Sequence, residues 1–184
     1  MKTWITSDLH FGHTNIMKFC PSTRGFFRDV DHMNSEMIRM WNDAVRQEDV
    51  VYILGDVSFT NARQAAHIMN SLVGTKILIQ GNHDSKLIKD SIFQKCFKEI
   101  HTYLRLVHDK TLIIMFHYPI WEWDQMHRGS IHFHGHLHGN DNGMPNSRAF
   151  DVGFDATGQV VSDMDLMIKQ ALKCGIRKHH QKGE

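Results

Sequence analysis

Four short runs in this chain are apolar almost without interruption, and each ends on a polar or glycine-containing turn. Residues 4–6 (WIT) lead into Ser7-Asp8-Leu9-His10, and 50–54 (VVYIL) lead into Gly55-Asp56. Residues 76–80 (KILIQ) lead into Gly81-Asn82-His83-Asp84, and 111–116 (TLIIMF) lead into His117-Tyr118-Pro119. Runs of this kind suit strands covered on both faces, which predicts an α/β chain. Between them, apolar residues recur at helical spacing. Met33, Met37, Trp41, Ala44 and Val45 predict a helix within 31–47; Ala62, Ala65, Met69 and Leu72 predict one within 61–73, with Gly74 as its stop. Ser162 and Asp165 have the spacing of a capping box before a last stripe of Met164, Met167, Ile168, Ala171 and Leu172. These methionine-rich stripes read as core packing.

One segment breaks the pattern. Residues 121–149 have weak periodicity, several turn-forming glycines and a high density of His, Asp, Asn and Arg, as a functional loop region would. Within it, HFHGHLHG (132–139) sets four histidines at alternate positions, and alternate residues of a strand share a face. Composition adds limits rather than direction. The 184 residues suit one domain over 1–184 with a solvated tail from about 176, in which His179 and His180 have no assigned role. A formal charge of +1 makes no general case for nucleic acid or an anionic membrane. Cys20, Cys96 and Cys174 are scattered and odd in number, which fits a reducing compartment, and the apolar runs are too short to span a bilayer. The expected location is the cytoplasm of a bacterial cell or a phage-infected host.

The chemistry is concentrated at the strand ends. Asp8 and His10 follow the first run, Asp56 the second, Asn82 and His83 the third and His117 the fourth, while His136 and His138 flank a glycine-bounded turn. Ligands of open α/β sheets bind at the carboxyl ends of strands, so these side chains are expected to converge on one edge. Imidazole, carboxylate and amide oxygen together favour borderline transition ions, and two such ions need a shared carboxylate to sit close together.

In order and in kind, Asp8-Leu9-His10, Gly55-Asp56, Gly81-Asn82-His83-Asp84, His117 and Gly135-His136-Leu137-His138 resemble the motifs of calcineurin-like metallophosphoesterases. The stretches SDLHFGHTNI, YILGDV, IQGNHD, FHYPIW and DVGFDA also resemble a small bacterial and phage branch of that superfamily. The resemblance implies a four-layer α/β/β/α sandwich of two mixed sheets flanked by helices. It implies two divalent ions, Mn²⁺ in vitro with Fe, Zn, Ni or Co as alternatives. Asp8, His10 and His138 would hold the first ion, Asn82, His117 and His136 the second, and Asp56 would bridge them. His83 would contact phosphate and protonate the leaving group, with Asp84 supporting its loop, and metal-bound hydroxide would attack phosphorus.

Two departures narrow the substrate. Protein phosphatases of the superfamily carry GDxxDRG, whose second Asp supports the catalytic histidine; here that position is Phe59. They also have glycine directly after DxH, where this chain has Phe11. The expected activity is therefore a phosphodiesterase acting on a nucleotide or nucleic-acid end. Hydrolysis of a phosphomonoester or dinucleoside polyphosphate is the alternative activity. A non-catalytic scaffold of the same fold, or an all-helical HD hydrolase built on His83-Asp84, are the rival classes. No membrane and no obligate protein partner are expected. His13, Asn15, Arg24, Arg28 and Arg148 are candidates for substrate phosphate, and Tyr118, Trp121 and Trp123 for stacking on a base, while Phe116 reads as core.

Overall fold

The computed structural model describes residues 1–178, so 179–184 of the tail, with His179 and His180, lie outside the described residues. The four apolar runs become β1 (Thr3–Thr6), β2 (Val50–Ile53), β3 (Thr75–Ile79) and β6 (Thr111–Phe116). Five further strands complete two sheets. They are β4 (Glu99–His101), β5 (Tyr103–His108), β7 (Ile131–His134), β8 (Ala149–Asp151) and β9 (Ser162–Asp163). The first sheet has the order β4-β3-β2-β1-β9, parallel except for β9; the second has the order β5-β6-β7-β8, parallel except for β5. Both sheets are therefore mixed, and helices flank them, as the resemblance implied; the described α-helices are α1 (Ile16–Phe19), α2 (Pro21–Arg24), α3 (Val30–Ala44), α4 (Ala62–Ser71), α5 (Ser91–Gln94), α6 (Phe154–Thr157) and α7 (Met164–Ala171).

Apolar residues on either side of the first sheet form separate clusters. On one side, α3 (Val30–Ala44) and α4 (Ala62–Ser71) bury Met33, Met37, Trp41, Ala65 and Met69 with Val51, Ile53 and Leu78. On the other, Ile5, Leu54 and Ile79 meet Ile113, Met115, Ile131 and Phe133 of the second sheet. Met164, Met167, Ile168 and Ala171 of α7 (Met164–Ala171) join that cluster. The outer face of the second sheet is closed by Trp123, Met126 and Met144 over Ile114 and Ala149. Burial of each Val, Leu, Ile, Met or Phe among these is worth roughly 1.5–3 kcal/mol before chain entropy is counted.

The helix ends follow local chemistry. Asn61 and Gln64 make a reciprocal capping box at the start of α4, and Gly74 takes φ +89° beyond its end. The start of α7 differs from expectation by one residue. Asp163, not Ser162, caps it, accepting from the Asp165 and Leu166 N–H groups, because β9 runs through Asp163 and the helix begins only at Met164.

Candidate metal centre

Beyond β1 and β2 the two chains continue side by side, with Asp8, His10 and Phe11 N–H groups bonded to the Gly55, Asp56 and Val57 carbonyls. Phe11 is fully buried, so the residue that stands where the protein phosphatases have glycine anchors this loop in the core. This ladder fixes Asp8 and His10 opposite Asp56. The backbone there is far from relaxed. Asp8, His10, Asp56, His136 and His138 all have φ between +50° and +70°, the left-handed region that side-chain-bearing residues avoid. Strain of this kind is held only where surrounding contacts over-determine it, and it gathers at functional sites.

The strand-end residues fall into two of the three groups of metal-capable atoms among the described residues, the third being Cys20, His138 and Asp155. Those of Asp8, His10 and His138 lie within 4.8 Å of one another, and so do those of Asp56, His117 and His136. Asn82 Oδ1 joins the second group, 2.8 Å from His117 Nε2. Asp56 faces both: its Oδ2 is 3.8 Å from His10 Nε2 and 3.6 Å from His117 Nε2. Asp8 Oδ1 and His10 Nε2 are buried without a hydrogen-bond partner among the described residues, 3.7 Å apart. Burying unpaired polar atoms is costly, and a cation between them removes the cost. The donor set thus fits divalent ions.

The imidazoles are aimed from behind. His117 Nδ1 donates to the Leu54 carbonyl at 2.6 Å, which leaves the Nε2 lone pair toward the site. His138 Nδ1 lies 2.7 Å from Asp155 Oδ2. Asp155 in turn takes Arg24 Nε at 2.9 Å and Nη2 at 2.8 Å, and the Arg24 guanidinium also donates to the Asp8 and Leu9 carbonyls at 2.6 and 2.9 Å. One buried ion pair therefore braces both loops of the first group. Such partners fix the tautomer and orientation of a ligating histidine. Burial alone would push the Asp8 carboxyl up, but the His10 and His117 imidazoles and the Ser7 hydroxyl hold it down at about 2. His138 is pushed down by burial, yet the Asp155 carboxylate beside it carries its pKa above the ordinary value.

Gly135 is dictated by space, since a Cβ there would run into Ser7 Oγ and Asp8 Oδ2. The turn it opens lets the His136 N–H donate to Asp8 Oδ2 at 2.9 Å. Asp84 is fully buried and accepts the Asp56, Val57 and Gly81 N–H groups at 2.8–2.9 Å, tying the second and third loops together. His83 is 47 % exposed, with Nε2 3.9 Å from Asp56 Oδ2. Its ring also meets His10 at 6.1 Å and Phe59 at 4.6 Å, the latter at the position where the protein phosphatases have a supporting carboxylate.

The outlying candidates separate. His13 belongs to the site, with Nδ1 3.0 Å from His10 Nδ1 and its pKa lowered to about 4 by partial burial and the imidazoles around it. Asn15 and Arg28 are exposed, and Arg28 is bonded through its N–H to His32 Nδ1. Arg24 is fully buried and committed to Asp155, so it does not reach substrate. Arg148 precedes β8, at the end of the strand away from the ligand turn, and its guanidinium donates to the Gly129 and Cys174 carbonyls. Neither arginine is a phosphate clamp. Trp123 is buried with Nε1 bonded to Ser130, which removes it as a stacking surface, whereas Trp121 is exposed under Arg177 and Tyr118 is exposed against His136. Phe116 is only half-buried, between Tyr103 and Tyr118, rather than core.

Asp155 is the residue that reasoning from strand ends overlooks, because it follows β8 on the short helix α6 (Phe154–Thr157) and acts through His138. Its only trace was its place in DVGFDA.

The calcineurin-like phosphoesterase family matches residues 1–140. The uncharacterized protein MJ1445 of Methanocaldococcus jannaschii is 30% identical over 175 residues, covering 91% of this chain and 90% of that one. The gene 66 protein of Mycobacterium phage L5 is 28% identical over 191 residues, covering 87% and 89%. A protein of unknown function, AQ665 from Aquifex aeolicus, shares the fold with a TM-score of 0.72 at 22% identity, over 92% of this chain and 98% of that chain.

Proposed function

The chain belongs to the calcineurin-like phosphoesterases and is a metal-dependent phosphoesterase, and from its geometry we propose that it hydrolyses phosphodiesters of nucleotides or nucleic-acid ends with two divalent ions. The observation that carries this reading is Asp56 Oδ2, a single carboxylate oxygen that faces His10 on one side and His117 on the other. Asp8, His10 and His138 would hold one ion and Asn82, His117 and His136 the other, with Asp56 shared between them. The donor set suits Mn²⁺ in vitro, with Fe, Zn, Ni and Co as alternatives. When bound, such ions neutralise charge on the phosphoryl group and make hydroxide available at neutral pH.

The chain's own residues then bind and deliver a proton. His83 turns Nε2 toward Asp56, so a phosphoryl group held by ions at Asp56 would lie within its reach. From that atom it donates the proton that the departing oxygen needs. His13, beside His10, borders the same space. The preference for a diester rests on the exposed surroundings: His83, Phe59 and Tyr118 are open to solvent, which leaves room for substituents on both sides of phosphorus. We assign the reaction to the cytoplasm, a reducing compartment that suits the three free cysteines; no described helix is long and apolar enough to cross a membrane.

Purified protein with Mn²⁺ is expected to hydrolyse bis(p-nitrophenyl) phosphate and to stop when a chelator is added. Absence of turnover with Mn²⁺, Fe²⁺, Co²⁺, Ni²⁺ and Zn²⁺ alike would overturn the hydrolase reading. His83→Ala lowers turnover while both ions stay bound; loss of an ion in that variant would show His83 to be a ligand instead.

A further inference from the structure

Next to His83 the surface opens into a recess of about 380 Å³ whose wall includes Phe59, Asn82, His83, Ser85 and Lys86. Single exposed apolar side chains are ordinary on a protein surface. Phe59 is different in being fixed. It is 38 % exposed, yet the His13 ring lies parallel to it at 3.9 Å and 10°, and His83 meets it at 4.6 Å. Three residues after His83, Lys86 brings an exposed cation to the same wall, and among the described residues its ammonium has no acidic partner. A rigid aromatic ring and a cation therefore share one recess, and the recess opens at His83.

We propose that this recess receives the leaving half of the substrate, and that this half is a nucleoside carrying a further phosphate, so that the substrate is the end of an oligonucleotide. The proposal rests on the diesterase reading above, in which His83 protonates the departing oxygen. In an in-line displacement the water oxygen bonds to phosphorus as the bond from phosphorus to the leaving oxygen breaks. His83 gives its proton to that oxygen, and the proton lost by the water passes to solvent. The leaving group must then lie on the His83 side of phosphorus, where the recess is. Phe59 supplies a platform for its base with the part of the ring that the His13 and His83 imidazoles leave open, and base–aromatic stacking tolerates any sequence. Lys86 supplies a charge for a phosphate one nucleotide away from the scissile one. A cyclic mononucleotide has no second phosphate to set against Lys86.

The test compares TpT, pTpT and TpTp as substrates of the Mn²⁺-loaded protein, with bis(p-nitrophenyl) phosphate as reference. One of the two phosphorylated dinucleotides, the one whose extra phosphate falls on the leaving nucleoside, is expected to exceed TpT in kcat/KM by roughly threefold to fivefold. In Lys86→Gln that ratio falls to near one. Phe59→Ala lowers kcat/KM on TpT by roughly 5- to 100-fold; Phe59→Tyr restores it, and Phe59→Leu, which keeps the bulk and removes the ring, does not. On the metal-free protein, thymidine 3′,5′-bisphosphate is expected to shift the NMR signals of Phe59 and Lys86. The recess is overturned as a subsite if neither extra phosphate raises kcat/KM, if the ratio survives Lys86→Gln, or if Leu serves as well as Tyr at 59. Turnover of the reference with none of these effects overturns the recess alone, whereas failure on every diester removes the diesterase reading as well.

Discussion

The row HFHGHLHG holds two kinds of histidine. His132 and His134 are fully buried in β7. His132 Nε2 accepts the Ile120 N–H at 3.0 Å and its Nδ1 donates to the Ile114 carbonyl at 3.1 Å, while His134 Nδ1 donates to the Gly135 carbonyl at 2.9 Å. His136 and His138, after Gly135, stand in left-handed conformations and turn their rings toward Asp56 and Asp8. The electrostatics diverge in step. Burial drives the pKa of His132 down to about 3, whereas the Asp155 carboxylate carries that of His138 up. Residue type and spacing are the same in both halves. What separates them is the backbone at Gly135, which ends the strand and lets the chain fold over Ser7 and Asp8.

That contrast can be broken at its hinge or sharpened at either half. Gly135→Ala should do most damage, since no rotamer removes a Cβ from the Ser7 and Asp8 side chains; thermal melting is expected to show a large loss of stability together with loss of bound metal. Next come His136→Ala and His138→Ala. Each should release one ion in metal analysis and lower turnover by more than about 100-fold, with a nearly unchanged urea midpoint for the metal-free protein. Asp155→Asn keeps every ligand but loses the carboxylate behind His138, and should weaken the ion of the Asp8 group by about 10- to 100-fold in a metal titration.

The buried half gives the smallest effect on chemistry. His132→Ala leaves the Ile114 carbonyl and the Ile120 N–H unpaired, at a cost of about 2–3 kcal/mol in urea unfolding, with turnover per folded molecule retained. Acid sharpens the same point. An unfolded histidine takes up a proton below about pH 6.5, whereas folded His132 resists until about pH 3. The unfolded state therefore binds more protons in that window, and stability declines as pH falls through it. From pH 7 to 5.5 this one side chain should remove about 1 kcal/mol, measurable as a steeper fall of the urea midpoint in the wild type than in His132→Ala.

The same physics explains what could be read from the sequence. β1, β2, β3 and β6 are covered on both faces or nearly so, so their apolar runs stand out. β5 alternates between exposed and half-buried residues at a sheet edge, and its YLRLVH text offers no such run. β4, β8 and β9 are two or three residues long and are defined by their neighbours rather than by pattern. The metal-capable residues were legible because strand ends carried them to one edge. The sequence does not separate a phosphate clamp from a structural ion pair at Arg24: the guanidinium fork that fits phosphate fits the Asp155 carboxylate equally well, and only burial tells them apart.

The left-handed backbone at the ligand positions carries a consequence for directed evolution. Glycine occupies that region without the clash that a Cβ brings, a difference of roughly 1 kcal/mol at each position. A screen that rewards heat resistance in the metal-free chain, blind to turnover, would therefore favour glycine at His136 early, because that imidazole makes no hydrogen bond among the described residues. Thermostable clones from such a screen would be enriched in dead enzymes, and the screen has to be run with metal present if the catalyst is to survive it.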